Sequence, residues 1–298
     1  MRRIHLVAPI PLCLLMVACG QPSAGAPAST TDVLAGRSPA DIIATAQGLM
    51  RTANYHFASS VQQSSKSGPL KGMPTGFVAA ANAGMSATVD GVVAGLNQVQ
   101  ATAHFDSVPG DVHLVESGCN GYISLDGSTW STSSDARWVT RMVQPTFDDA
   151  MRSLPWRDLG ATTLDGTSVH HLQATLNWIA LRAAQPSPNA TPDPGVEVTP
   201  APVDVWVRSA DGLPAKVTET LDTSLNLALA APKDIAPSVS GIVRQHLVVA
   251  STYTPSQYTV TTPALTPGAP PVPAAIIHGF GLFGVQKDAC DTPLGSGA

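Results

Sequence analysis

The chain has 298 residues, of which 12% are charged and 44% hydrophobic, with 26 prolines, 25 glycines and a formal net charge of −5. Charged residues usually make up about a quarter of a globular chain, so the loops here are polar but mostly uncharged. This balance excludes a nucleic-acid-binding surface and a charge-rich helical cytosolic enzyme, and it suits a β-rich exported protein.

Arg2 and Arg3 precede an apolar run from Ile4 to Val17, broken only by His5, Pro9 and Pro11. A positive start, a short apolar core and a small residue before the cut make a secretory signal peptide. The core is too short for a membrane-spanning helix, which needs roughly 20 apolar residues. Its end, Leu15-Met16-Val17-Ala18-Cys19, resembles the lipobox of bacterial lipoproteins, with Met16 where that family usually has Leu. The resemblance implies removal of residues 1–18, acylation of Cys19 and a lipid anchor on the outer face of the cytoplasmic membrane. The alternative is an ordinary signal peptide in which Cys19 is incidental. Cleavage leaves 280 residues (298 − 18), with 14 basic side chains (16 − 2) against 21 acidic ones. Of the four cysteines, Cys13 leaves with the signal and Cys19 takes the lipid. Cys119 and Cys290 remain in an oxidising compartment, where a disulfide tying the C-terminal tail to a central hairpin is expected, the alternative being two free thiols.

Residues 19–37 are rich in Ala, Ser, Pro and Thr and read as a flexible tether. Ser38 is a plausible N-cap, Pro39 suits N1, and Asp41 completes a capping-box pattern. Ile42, Ile43, Ala46, Leu49, Met50 and Ala53 then recur on one face of an amphipathic helix of about four turns. From Asn54 the period changes to two through Tyr55, Phe57 and Val61, followed by an expected loop over 64–76. Residues 77–95 are weakly patterned. In the strand Gln98–Asp106, Val99, Ala101, Ala103 and Phe105 face one way and the polar residues the other. Val112 and Leu114 continue the alternation, Gly121–Leu125 is a short strand, and Asp126-Gly127 turns it into Thr129–Thr132.

Thr146 starts a second helical segment with Phe147, Ala150, Met151 and Leu154 on one stripe. Leu164-Asp165-Gly166 turns into a strand Ser168–Leu176, and residues 185–202 read as a solvated Pro-rich loop. Val203, Val205 and Val207 form a strand with Trp206 on its other face, and Asp211-Gly212 leads into Lys216–Leu221. Leu225, Leu227 and Leu229 alternate as a strand would. Ile242–Tyr253 is the last strand, and residues 264–298 form a tail. Helix, meandering strands, helix and more strands joined by Asp-Gly turns make one α+β domain over 38–263.

This order of elements resembles the LolA-like lipoproteins, and most closely the LppX/LprG type. Three features carry the resemblance: the helix running into Asn54-Tyr55-His56-Phe57; the strand-turn-strand Leu164-Asp165-Gly166-Thr167-Ser168-Val169-His170-His171; and Val203-Asp204-Val205-Trp206-Val207-Arg208 followed by Asp211-Gly212-Leu213-Pro214. The tail, the Pro-rich loop and the Cys119/Cys290 pair depart from it. The resemblance implies a curved antiparallel sheet, an unclosed half-barrel covered by helices, whose apolar cavity accepts acyl chains of lipids. Cavity candidates are Val99, Ala101, Ala103, Phe105, Val205, Val207, Phe147 and Met151. The residues alone leave open whether that face lines a cavity or a filled core.

No cofactor is implied. Gly279–Gly284 fits G-x-G-x-x-G but lies too near the chain end for a dinucleotide unit. His170 and His171 are adjacent, so their rings point to opposite faces of a strand and do not chelate one metal simply. Asp148-Asp149 fits a helix start better than acid/base work. H-E-x-x-H, G-x-S-x-G and P-loop patterns are absent from the sequence. The expected function is therefore a non-enzymatic, membrane-anchored protein that binds a lipid or acylated small molecule and carries or presents it in the envelope. The alternative is a sensor or interaction module with a filled core and an envelope protein partner.

Overall fold

The computed structural model describes residues 31–73, 84–95, 98–106, 109–132, 154–177, 195–230 and 238–269, with positions 75, 78 and 82 between them. The described elements belong to the compact unit Asp32–Ala298. No helix among the described residues is long and apolar enough to cross a membrane.

Helix α1 (Pro39–Thr52) starts as the sequence dictates. The Ser38 Oγ accepts from the Asp41 amide at 3.2 Å, and Pro39 stands in the first turn. Ile42, Ile43, Ala46, Gln47 and Met50 form its buried face. The helix ends at Ala53, whose extended backbone feeds straight into β1.

The strands are β1 (Asn54–Ser67), β2 (Met85–Ala94), β3 (Gln98–Phe105), β4 (Asp111–Ser117), β5 (Asn120–Ser124) and β6 (Ser131–Thr132). After the second expected helix, which lies outside the described residues, come β7 (Arg157–Leu164), β8 (Thr167–Leu176), β9 (Val196–Thr199), β10 (Ala201–Arg208), β11 (Pro214–Asn226) and β12 (Ile242–Pro255). They form one antiparallel sheet in the order β6-β5-β4-β3-β2-β1-β12-β11-β10-β8-β7, with β9 added to β11. The path runs from one free edge to the other, so the sheet is an open half-barrel and not a closed barrel. Its centre is the pair β1·β12, the first and last strands of the domain.

Several boundaries differ from the sequence reading. The tether does not extend to residue 37. Leu34 is fully buried, the Val33 amide donates to the Ser209 carbonyl at 2.8 Å, and Asp32 reaches His170. Strand β1 runs on to Ser67 through what reads as a loop, because β12 pairs with it as far as Ser67↔Val243. Residues 196–202 carry β9 and the start of β10 instead of a solvated loop, with Ala201 buried opposite Leu176. Leu227–Ala230 is a single helical turn, α2, where alternation suggests a strand. The Asn226 side chain accepts from the Ala228 amide at 3.2 Å, and this local bond turns the backbone out of the ladder.

The tail beyond 263 is docked where described. Thr266 exchanges hydrogen bonds with Trp130, and the Thr262 hydroxyl donates to Ser117. Strand β6 starts only at Ser131, because the Asp126 carboxylate accepts from the Ser128 and Thr129 amides and organises a wider turn. Those donors hold the exposed Asp126 carboxyl below the usual carboxylate range.

Candidate functional site

Register arranges the inner face of the sheet in rows. One row runs Leu172, Val205, Val217, Ser251, Ser59, Val89, Ala103 and Val112 across eight strands. A second runs Ala174, Val203, Glu219, Val249, Val61, Ala87 and Phe105. A third holds Tyr253, Phe57, Gly91, Ala101, Leu114 and Ile123. Alternation along each strand puts these residues on one side and Thr, Ser, Gln and His on the other. The buried face of α1 belongs to the same apolar cluster. The helix also packs on the Asp211-Gly212 turn. A Cβ on Gly212 would stand 3.1 Å from the Thr45 methyl and 3.6 Å from Leu34.

Six of the expected cavity residues are described, and all six join this inner face. Val99, Ala101, Ala103, Phe105, Val205 and Val207 are each at most 3% exposed. Phe147, Met151, Cys19 and Cys290 lie outside the described residues. Cys119, in the β4–β5 turn, is disulfide-bonded to a partner outside them. The cluster is not sealed everywhere: Met85, Leu221 and Val249 pack against it but are only half-buried, so the apolar interior reaches the surface there.

Sequence reasoning missed the polar residues at the middle of this face. Tyr55 and Tyr253 meet edge to face with ring centroids 5.8 Å apart. The Ser59 and Ser251 hydroxyls pair at 2.7 Å, both buried. Burial pushes both phenols up; for Tyr253 the hydrogen bond with Ser251 opposes the rise, and the nearby Tyr55 and Glu219 add to it. The signal was present in phase. Ser59 sits between Phe57 and Val61, and Ser251 between Val249 and Tyr253, each at an inward position where an apolar residue is expected.

Among the described residues, His170 and His171 pair with carboxylates and do not gather into a metal-ligating group. No group of three metal-ligating side chains occurs among the described residues. His171 donates from Nε2 to the Asp204 carboxylate at 2.8 Å and stacks on Trp206 at 4.4 Å on the outer face. His170 lies between Asp32 (Nε2, 3.0 Å) and Asp158 (Nδ1, 3.4 Å). Burial opposes a charge on this ring, but the two carboxylates outweigh it and raise its pKa above the ordinary value. In return, the His170 hydrogen bond lowers Asp32. The pair clasps the N-terminal segment to β8. An open polar hollow lined by Arg37, Asp41, Ala44 and Thr45 lies at the start of α1, where Arg37 bonds Thr45 across it.

No protein-family model matches the chain, and no curated protein does. Solved structures with a similar fold include LprF from Mycobacterium bovis, at 11% identity over 76% of this chain and 97% of that one, with a TM-score of 0.40. The lipoprotein LppX of Mycobacterium tuberculosis is 15% identical over 75% of this chain and all of that one, with a TM-score of 0.37. A LolA superfamily protein from Nitrosomonas europaea is 11% identical over 76% of this chain and 95% of that one, with a TM-score of 0.23.

Proposed function

We propose that this chain is a lipid-anchored envelope protein that binds a lipid or acylated small molecule against the inner face of its sheet and carries or presents it. It acts by binding, not by catalysis. Cys19, freed as the N-terminus by removal of residues 1–18, is its anchor on the outer face of the cytoplasmic membrane. Cys119 pairs with Cys290, and Phe147 and Met151 complete the apolar lining.

The observation that carries this reading is an apolar inner face spanning eight strands whose cluster comes to the surface at Met85, Leu221 and Val249. An acyl chain entering there gains about 0.8 kcal/mol per buried CH₂, so ten methylenes supply about 8 kcal/mol before the cost of association. A second reading, a partner-binding module with a filled core, is favoured by the near-complete burial of Val99, Ala101, Ala103 and Phe105.

One experiment separates them. The mature chain, purified from a bacterial envelope, is extracted with organic solvent and also titrated with a fluorescent acyl probe. Co-purified lipid and saturable probe binding are expected. An empty extract together with no probe binding rejects the lipid reading in favour of the filled core.

A further inference from the structure

The inner face changes character at one level of the sheet. Along β12 the inward residues include Val243, Gln245, Leu247 and Val249, and the register sets Thr223 of β11 and Ser65 of β1 on either side of Gln245. Gln63 stands one row higher, between Leu247 and Met85. Leu247 belongs to the main apolar cluster and Leu221 packs on it, whereas Val243 and Leu225 go with a second cluster around Leu227 and Val239. The row Thr223, Gln245, Ser65 divides the two. Leu or Val at these three inward positions would join them into one core, and the chain forgoes that burial.

The dividing row is a hollow. Val243 and Leu247 are 4% and 5% exposed, yet Gln245 between them is half-buried, so solvent comes in to the sheet face there. Gln63, Ser65 and Thr223 are half-buried as well. Their mutual bonds are long: Gln63 Nε2 donates to Ser65 Oγ at 3.4 Å, and Thr223 Oγ1 donates to Gln245 Oε1 at 3.5 Å. A glutamine side chain carries two donors and an acceptor oxygen, and a hydroxyl both donates and accepts. Two bonds therefore leave most of this capacity for water or a ligand. The lip of the hollow is where the main cluster reaches the surface, at Met85, Leu221 and Val249. A chain that passes this lip into the apolar interior leaves its polar end among these four side chains.

We infer that Gln63, Ser65, Thr223 and Gln245 form the head-group site of the acylated ligand, hydrogen-bonding hydroxyl, ester or amide groups at its polar end while its chain lies on the apolar rows above. Uncharged side chains that donate and accept match such groups in either direction. This deepens the lipid-binding reading and rests on it.

The test titrates the mature chain, the double variant Gln63→Leu/Gln245→Leu and the single variant Thr223→Val with two probes of equal chain length, monolauroylglycerol and dodecane. Losing the two amides should weaken monolauroylglycerol about tenfold, and losing the one hydroxyl about threefold. Dodecane, which has no head, should bind the variants at least as well as the wild type. Thr223→Val keeps the side-chain shape and decides the matter if the double variant does not fold. Monolauroylglycerol binding that is the same in wild type and variants, or dodecane binding weakened as much as monolauroylglycerol binding, overturns the inference while acyl binding stands. If neither probe binds the wild type, the lipid-binding reading itself fails and takes the inference with it.

Discussion

Gly91 offers the sharpest test of how the inner face is packed. It lies opposite Phe57 on β1 and Ala101 on β3, in the row that ends at Tyr253. A Cβ built there would stand 2.7 Å from Phe57 Cε1, 2.7 Å from Phe57 Cζ and 2.7 Å from the Gln100 carbonyl oxygen. Phe57 is fully buried and the Gln100 oxygen belongs to the backbone, so neither moves freely. Gly91→Ala should therefore destabilise by about 1–3 kcal/mol, the usual range for overpacking a core. Phe57→Leu removes the two ring atoms and should cost about 1–2 kcal/mol through lost volume when made alone. Combined, the two changes should cost about 1 kcal/mol less than their sum, because two of the three close contacts disappear. Rescue should stay incomplete, since the Gln100 oxygen remains. Urea unfolding followed by tryptophan fluorescence reads all four corners of the cycle. Strict additivity, or a neutral Gly91→Ala, would show that the Phe57 ring does not lie over Gly91 and that the assigned register is wrong.

Two further outcomes follow from other parts of the structure. His170 has a raised pKa, so its contribution to stability is complete below its ordinary value of 6.5 and is lost as pH rises through the raised value; Asp32 has a lowered one, so its contribution is complete above 3.8 and is lost as pH falls through the lowered value. The N-terminal clasp should hold best between those two pH limits. NMR titration of His170 should give a value above 6.5 that drops in Asp32→Asn, and a wild-type value at or below 6.5 refutes the clasp. Under non-reducing conditions, peptide mapping should recover Cys119 joined to Cys290, and recovery of either as a free thiol refutes that pairing.

The parts of this fold that were legible in the sequence are those decided within a few residues. Ser38, Pro39 and Asp41 define the start of α1 through bonds that span three positions. The alternation Val99, Ala101, Ala103, Phe105 assigns a face because the pleat has period two. What was illegible depends on partners far along the chain. Leu34 stands alone among small residues, and its burial is secured by Ser209 and His170. Strand β9 has four residues and exists because β11 extends far enough to pair with it. Ser59 reads as an exception within an apolar alternation until Ser251 arrives opposite it.

That pairing also explains why two hydroxyls sit on an otherwise apolar inner face. Strands β1 and β12 meet over most of their length, from Tyr55↔Pro255 to Ser67↔Val243, and most of the side chains along this ladder are small or polar. Such a ladder specifies its own register weakly. A slip of one residue would turn Ser251 outward, and a slip of two would set Ser59 against Val249 or Tyr253, leaving buried hydroxyls unpaired at about 1–3 kcal/mol each. The Ser59–Ser251 bond thus pins the longest-range pairing in the sheet, and it is satisfied by doing so.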